Sequence, residues 1–596
     1  MRDGPQDGEG SSIWDRLRRR KVVQWTLAYA AGAWGLLQGL QFVVDAFEWP
    51  NRVLKLGTVA ALVGLPLVGA IAWFRGERGA QRVTRKELAV VTLLFLIGGG
   101  LFWHYQRTSA VPGTQVIAQS APPSTSTPAT IPVDRSIAVL PFVNMSADKE
   151  QEYFADGISE ELLNLLAQIP ELRVIARTSS FAFKGKDVGI TEIAEKLGVT
   201  HVLEGSVRES GGTLRITVQL IRTSDSSHLW SETYDRQMTD VFAIQDEIAA
   251  AVVDQLKIRL LGAAPKSRVT DPKAYALFLQ ARSIGHEYTP AAFERSISLY
   301  QQALALDPAY TAAWEGLARN YCEQVFNGLR SVDEGILLAR EATSRALALD
   351  PDYAPAHARL GWIALYYDRD LAAAARHLEH ALELEPANPD ILGVAAVLSR
   401  RLGRLDQAIA VAEYQVARDP TNTLGRDNLG YMYRYAGRLD EAVAELRTGL
   451  SLSPGYIAGH EGIGEVLLQK GDAEAALAEM QQETADGMRL VGLAMAHHAL
   501  GQKAESDAAL EELIARYEKT YTVNIAYVLA FRGEADRAFE WLHKAVQYND
   551  TYLSAIGGHP MFANIHSDPR WLPFLRQLGL APEQLAAVKF DVKVPE

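Results

Sequence analysis

Leu429-Gly430-Tyr431-Met432-Tyr433-Arg434-Tyr435-Ala436-Gly437-Arg438-Leu439-Asp440-Glu441-Ala442 holds the clearest copy of a unit that recurs along this chain. Small residues (Gly430, Ala442) and large ones (Leu429, Tyr433) fall at helical spacing on either side of a Gly-Arg-Leu-Asp turn, and Ser453-Pro454 closes the unit. The turn occurs 34 residues earlier as Gly403-Arg404-Leu405-Asp406 and 34 later as Gly471-Asp472, with weaker echoes at Gly501 and Gly533. The closing dipeptide recurs as Asp307-Pro308, Asp350-Pro351, Glu385-Pro386, Asp419-Pro420 and Ser453-Pro454, at intervals of 43, 35, 34 and 34. Small side chains let two helices approach, large ones fill the gap, and proline ends the second helix because it cannot continue the hydrogen-bond ladder.

A 34-residue period with two helices per unit resembles the tetratricopeptide repeat (TPR), and Leu429-Gly430, Tyr433, Ala442 and Pro454 stand at that family's spacing. Over residues 271–580 this implies roughly eight or nine units, stacked as an all-α right-handed superhelical solenoid with first-helix side chains on its concave face. The 43-residue interval implies about nine extra residues near 325–333, expected as a longer loop. Counting from the prolines puts Arg319, Cys322, Trp362, Tyr366, Arg400, Arg401, Tyr431 and Arg434 toward the groove. As a peptide groove, arginines would reach carboxylates and aromatic rings would offer flat apolar contact. The other reading is ordinary helix-face packing. Residues 581–596 form a C-terminal tail.

Upstream, residues 133–263 change period. Ile137–Phe142, Leu172–Arg177, His201–Arg208, Leu214–Arg222 and His228–Tyr234 read as strands; Glu152–Ile169, Ile190–Leu197 and Phe242–Leu261 read as helices. The order βαβαβββα indicates an α+β domain. Ser136-Ile137-Ala138-Val139-Leu140-Pro141-Phe142, Tyr153-Phe154-Ala155-Asp156-Gly157-Ile158, Ala176-Arg177-Thr178-Ser179-Ser180-Phe181, Val202-Leu203-Glu204-Gly205-Ser206-Val207 and Leu229-Trp230-Ser231-Glu232-Thr233-Tyr234-Asp235 resemble the periplasmic TolB-type N-terminal domain family. In that family the unit often precedes tetratricopeptide repeats, and some relatives join it to cyclase or winged-helix domains. Ile13-Trp14-Asp15-Arg16-Leu17-Arg18-Arg19-Arg20 resembles the membrane module of such bacterial proteins, although Arg75–Gly79 and a third apolar stretch depart from their pattern.

Val22–Val44, Leu56–Phe74 and Leu88–Tyr105 carry no Asp, Glu, Lys or Arg, each close to the roughly 20 residues that cross a bilayer. They predict a three-helix transmembrane anchor over 22–105 behind a basic cytoplasmic tail, 1–21. The third stretch, with Gly98-Gly99-Gly100, also reads as re-entrant. Cations cluster at Arg16–Lys21 and Arg75–Lys86, which by the positive-inside rule makes the N-terminus cytoplasmic. The expected location is therefore a multi-pass inner-membrane protein with its bulk in the periplasm. A tether rich in Pro, Ser and Thr follows at 106–132.

Of 596 residues, 48% are hydrophobic, enough for several packed cores. Residues 1–107 hold 14 Lys and Arg against 8 Asp and Glu, leaving the other 489 residues 45 against 64, a net of -19. Such an acidic body argues against nucleic acid as a partner. One cysteine, Cys322, excludes an intrachain disulfide and clustered-cysteine metal sites. No phosphate loop or His-Glu-x-x-His motif occurs, and His497-His498 point about 100° apart on a helix. The sequence thus offers no catalytic residues, no cofactor and no metal. It predicts a non-enzymatic scaffold for protein or peptide partners, with a ligand-sensing or signalling subunit as the alternative; oligomeric state is left open.

Overall fold

The computed structural model describes residues 135–256 and 269–595, apart from Pro170, Asp187 and Tyr288; all lie in one compact unit, Thr127–Glu596. A sheet domain comes first. It contains β1 (Ser136–Val139), β2 (Val143–Asn144), α1 (Glu152–Ala167), β3 (Arg173–Val174), α2 (Arg177–Phe181), α3 (Ile190–Leu197), β4 (His201–Ser210), β5 (Thr213–Arg222), β6 (Ser227–Gln237) and α4 (Val241–Gln255). The strand order is β3-β1-β4-β5-β6, with β2 also on β4. β1 runs parallel to β3 and β4, while β4, β5 and β6 form an antiparallel meander.

Every residue of β1 is buried, as its unbroken apolar run requires of a strand covered on both faces. One face packs Ile158, Leu162 and Leu166 of α1 and Ile248 and Val252 of α4 against Val139, Leu203 and Val218. The other packs α3 through Ile193 and Leu197 onto Ala138, Ile175 and Val202. Gly205 lets the strands close: a Cβ there would sit 2.5 Å from the Thr217 carbonyl oxygen and 2.9 Å from the Phe142 ring.

Eight helix pairs follow among the described residues. They are α5 (Pro272–Gly285) with α6 (Pro290–Leu306), α7 (Thr311–Phe326) with α8 (Val332–Leu349), α9 (Ala354–Ile363) with α10 (Leu371–Leu384), and α11 (Pro389–Arg401) with α12 (Leu405–Arg418). Then come α13 (Thr423–Tyr435) with α14 (Leu439–Leu452), α15 (Gly459–Lys470) with α16 (Ala473–Met480), α17 (Asp486–Ala499) with α18 (Lys503–Tyr517), and α19 (Thr522–Phe531) with α20 (Ala535–Gln547). The recurring turn glycines Gly403, Gly437, Gly471, Gly501 and Gly533 have φ of 74, 75, 83, 72 and 77°, left-handed values that a side chain disfavours. Gly361, Gly430 and Gly464 serve contact instead: a Cβ on each would lie 2.7 Å from Leu378, Leu446 and Met480. The extra residues of the 43-residue interval are not all loop, since α7 and α8 have 16 and 18 residues where α13 and α14 have 13 and 14.

The sheet domain and the first repeats share one core. Gly157 of α1 sits where a Cβ would come 2.5 Å from Leu279 of α5, Tyr275 packs between Phe154 and Phe242, and the Gln245 amide donates to the Tyr275 hydroxyl at 2.8 Å. After Gln547 the pairing stops. Two 3₁₀ stretches, Thr551–Gly558 and Pro560–Ile565, lead to α21 (Trp571–Gln577) and α22 (Pro582–Ala587).

The fold class and location read from the sequence are corrected here. Among the described residues no helix is long and apolar enough to cross a membrane. The longest, α8, has 18 residues and carries Asp333, Glu334, Arg340, Glu341 and Arg345, a two-faced helix that buries one side against its neighbour. The basic tail, the three stretches expected to span and the linker all fall within 1–132, outside the described residues. The transmembrane element, the membrane-embedded inner-membrane placement and the periplasmic location are therefore not carried further.

Candidate binding surface

Other parts of the chain pack against most of the first-helix residues singled out from the sequence. Near the start of the array these are α1 and α2. Arg177 donates to Glu160 at 2.8 Å, and Arg282 of α5 reaches Glu161 at 2.7 Å and Glu160 at 3.3 Å. The two guanidinium groups hold the buried Glu160 carboxyl below its usual range against the cost of burial. Close by, His286 is pushed down to about 3 by burial and by the charges of Arg177 and Arg319, so its ring is neutral.

α2 also reaches the fourth pair. Asp419 accepts from the Ser179 hydroxyl at 2.7 Å, the Ser179 amide at 3.1 Å and the Asn422 amide group at 2.7 Å. Ser179 Oγ in turn accepts from the Thr421 amide at 2.8 Å, and the Ala176 amide donates to the Arg418 carbonyl at 2.8 Å. Burial pushes Asp419 up to about 6 despite these donors.

Toward the other end, Thr551–Gly558 and the residues after it fill the concave face. Arg401 donates to the Leu365 carbonyl at 2.9 Å and to Ser554 Oγ at 2.5 Å, and its guanidinium lies 4.6 Å from the Tyr366 ring centre. Arg400 stacks on Tyr435 at 4.7 Å, and Tyr435 meets His559 edge-on at 5.8 Å. Arg434 is buried and paired with Glu465, and Tyr431 lies beside it. Burial and the neighbouring Glu465 carboxylate push the Glu461 carboxyl, one turn away, well above its usual range, and it accepts from the Tyr527 hydroxyl at 3.2 Å. Arg434 and Tyr431 thus belong to an internal polar core.

Between the two covered regions an aromatic window stays open. Phe326, 64% exposed, lies 6.4 Å from Trp362; Trp362 lies 5.2 Å from Tyr366 and 5.4 Å from Tyr367. Tyr552, 56% exposed, stands at its far side. Of the expected groove residues, Trp362, Tyr366 and Arg401 come together here with Arg400 adjacent. Arg319 lies under the sheet domain beside His286. Cys322 is fully buried, its thiol pushed up to about 12, which makes it a packing residue. Sequence reasoning missed Phe326, Tyr435, Tyr552 and Ser554. The break signals Asn549-Asp550 and Gly557-Gly558-His559-Pro560 would have separated 549–565 from the repeats.

Among the described residues no group of His, Cys, Asp and Glu is arranged to hold a metal ion. The space beside Thr551–Gly558 is about 30 Å³, room for a water molecule. What the surface offers is apolar and cationic contact.

Family models agree with the two-part organisation. The model described as HilA/YgeH-like transcriptional regulator, second domain, matches residues 133–251, and two tetratricopeptide repeat models match 365–424 and 428–487. A putative adenylate cyclase 3 of Rhizobium meliloti (strain 1021) is 40% identical over 195 residues, 32% of this chain and 33% of that protein. The chain thus matches only about a third of that relative's length. Among solved structures, the human IFIT1 dimer with m7Gppp-AAAA is 13% identical over 52% of this chain and 78% of its own, with a TM-score of 0.33. A thermophilic TPR protein of Thermus thermophilus, TTC0263, is 24% identical over 32% and 97%, with a TM-score of 0.27. The C-terminal half of the chain is a tetratricopeptide repeat array preceded by a sheet domain, an architecture that serves protein interaction.

Proposed function

We propose that this chain is a scaffold without catalysis of its own, which holds an extended peptide segment of a partner protein against the window formed by Phe326, Trp362 and Tyr366. The observation that carries this reading is the run of neighbouring aromatic rings Phe326, Trp362 and Tyr366, of which Phe326 is largely exposed and the other two are half-buried. Exposed aromatic rings are the residue type on which protein interfaces concentrate their binding energy. The test is affinity capture by the full chain, side by side with Phe326→Ala and Trp362→Ala. At least one protein held by the unaltered chain should be lost from both variants, each still folded by circular dichroism. Identical captured sets would overturn the reading.

A second reading is favoured by the match of 133–251 to a domain of transcriptional regulators and by the TolB-type motifs in the same residues. In it, the sheet domain receives a small molecule and the array passes its occupancy to a partner. A ligand that binds the folded state raises the melting temperature. Metabolite-dependent melting of the full chain would support this reading, and a flat response across a broad small-molecule set would remove it.

A further inference from the structure

Arg400 and Arg401 are the last two residues of α11, and neither makes an ion pair with any described residue. Aromatic rings surround both: Tyr366 lies under Arg401 at 4.6 Å and Tyr435 under Arg400 at 4.7 Å. The Arg401 guanidinium is spent on two neutral oxygens, the Leu365 carbonyl and Ser554 Oγ, and its Nε is buried with no hydrogen-bond partner. A planar guanidinium of this kind is matched by a carboxylate, which accepts two parallel bonds. Burial without one pulls Arg401 down to about 10. The residue facing it is instead a serine of the chain's own C-terminal segment.

That segment is built differently from the repeats it fills. Thr551–Gly558 is 3₁₀ rather than α, a form with poorer hydrogen-bond geometry that rarely runs so long. It starts from Asn549 in a left-handed conformation (φ 55°) and ends at Gly557-Gly558, two positions where the backbone can turn freely. Arg369, which follows the π-helical turn Ala364–Asp368, bonds Asn549 at the near end. Leu553 and Ile556 anchor it in the core, beside a water-sized cavity of about 30 Å³ lined by residues that include Asn524, Tyr527, Tyr552 and Ile556.

We propose that Thr551–Gly558 is a resident blocker: it sits in the concave groove in place of a partner peptide bearing a carboxylate, and it must leave for that peptide to pair with Arg401 and Arg400. Ser554 is the stand-in for the carboxylate. Tyr366, Tyr435 and the window beyond them then receive the flanking residues of the peptide. The inference rests on the scaffold reading and adds the charge of the partner and the step that precedes its binding.

The test needs no partner, so its failure and that of the scaffold reading are separable. Amide hydrogen exchange of the full chain, read by mass spectrometry on peptides covering 550–560, should show these amides exchanging at least about tenfold faster than those of α11 and α19, because the segment opens while the array stays folded. Supplying the missing charge in place, Ser554→Asp should slow exchange of 551–558 about tenfold, and the slowing should vanish in the Arg401→Gln background. Should Ser554→Asp not fold, millimolar hexaglutamate added to the unaltered chain decides: it should speed exchange of 551–558, while hexalysine should not. Exchange as slow as that of α19, an Asp effect unchanged by Arg401→Gln, or equal effects of the two peptides would overturn the proposal.

Discussion

Ser179 is a small residue with a large structural task, because its hydroxyl bonds Asp419 and also receives the Thr421 amide where the sheet domain meets the array. Removing the hydroxyl takes one of three donors from a buried carboxyl and the acceptor from the Thr421 amide, so Ser179→Ala should cost about 1–3 kcal/mol, read as a lower urea midpoint. Asp419, 2% exposed and pushed up to about 6, and Asp427, pushed up to about 7 beside Tyr456, bind their protons more tightly folded than unfolded. The stability they confer is full below about pH 4 and is lost as pH rises through 6 to 7. Two units on Asp419 correspond to roughly 3 kcal/mol; Asp427 keeps part of its surface in water and contributes less. His559 and His286 run the other way, pushed down from the usual imidazole range by burial, so that acid below about pH 6.5 draws the chain toward the unfolded state. Between about pH 5 and 7 the two contributions oppose each other, so in urea unfolding the stability of the double variant Asp419→Asn, Asp427→Asn should rise with pH more steeply than that of the unaltered chain. Equal slopes for the two would mean that these carboxyls carry no such contribution.

At the scale of the element, β4 is held by an absence. A methyl group on Gly205 would collide with the Thr217 carbonyl and the Phe142 ring, and backbone cannot give way as a flexible side chain can. Gly205→Ala should therefore cost about 1–3 kcal/mol or more and lower the melting temperature, whereas Ala at the exposed Gly455, where a Cβ would meet open space, should cost far less. Most elements were legible in the sequence because their physics is local. The 34-residue period marked the helix pairs through left-handed turn glycines, and alternating apolar residues marked β4, β5 and β6. What escaped is set by distant contacts. α2 is five residues long and carries no period, yet it is the element that touches Asp419. The 43-residue interval went largely into longer helices, which a count between prolines cannot apportion. Thr551–Ile565 has aromatic and aliphatic residues enough to pass for another repeat, and only its glycines and proline speak against that. Of the expected site, helical phase picked out Trp362, Tyr366, Arg400 and Arg401; the packing of the chain's own segments against them was not legible.

At the scale of the molecule, the sheet domain and the array behave as one body. One hydrophobic core runs from Ile137 to Ile363 and a second from Ala354 to Phe590, meeting at α9. The C-terminal stretch of chain closes the structure: Arg404 bonds the Val588 and Phe590 carbonyls, and the Asp591 amide donates to Glu379 at 3.0 Å. Differential scanning calorimetry should accordingly show the sheet domain and first repeats melting together, and Tyr275→Ala, which empties the shared core, should lower that shared transition by about 3–5 kcal/mol of stability. Two separate transitions, only one of them moved, would mean that the domains fold apart. The central claim is that a partner is held at the open part of the concave face. A photo-cross-linking amino acid placed at Phe326, with a second at the outward Arg345 as control, tests it in the living cell. A discrete adduct of one size from position 326 and none from 345 is the expected result; no adduct, or the same adducts from both positions, would contradict it.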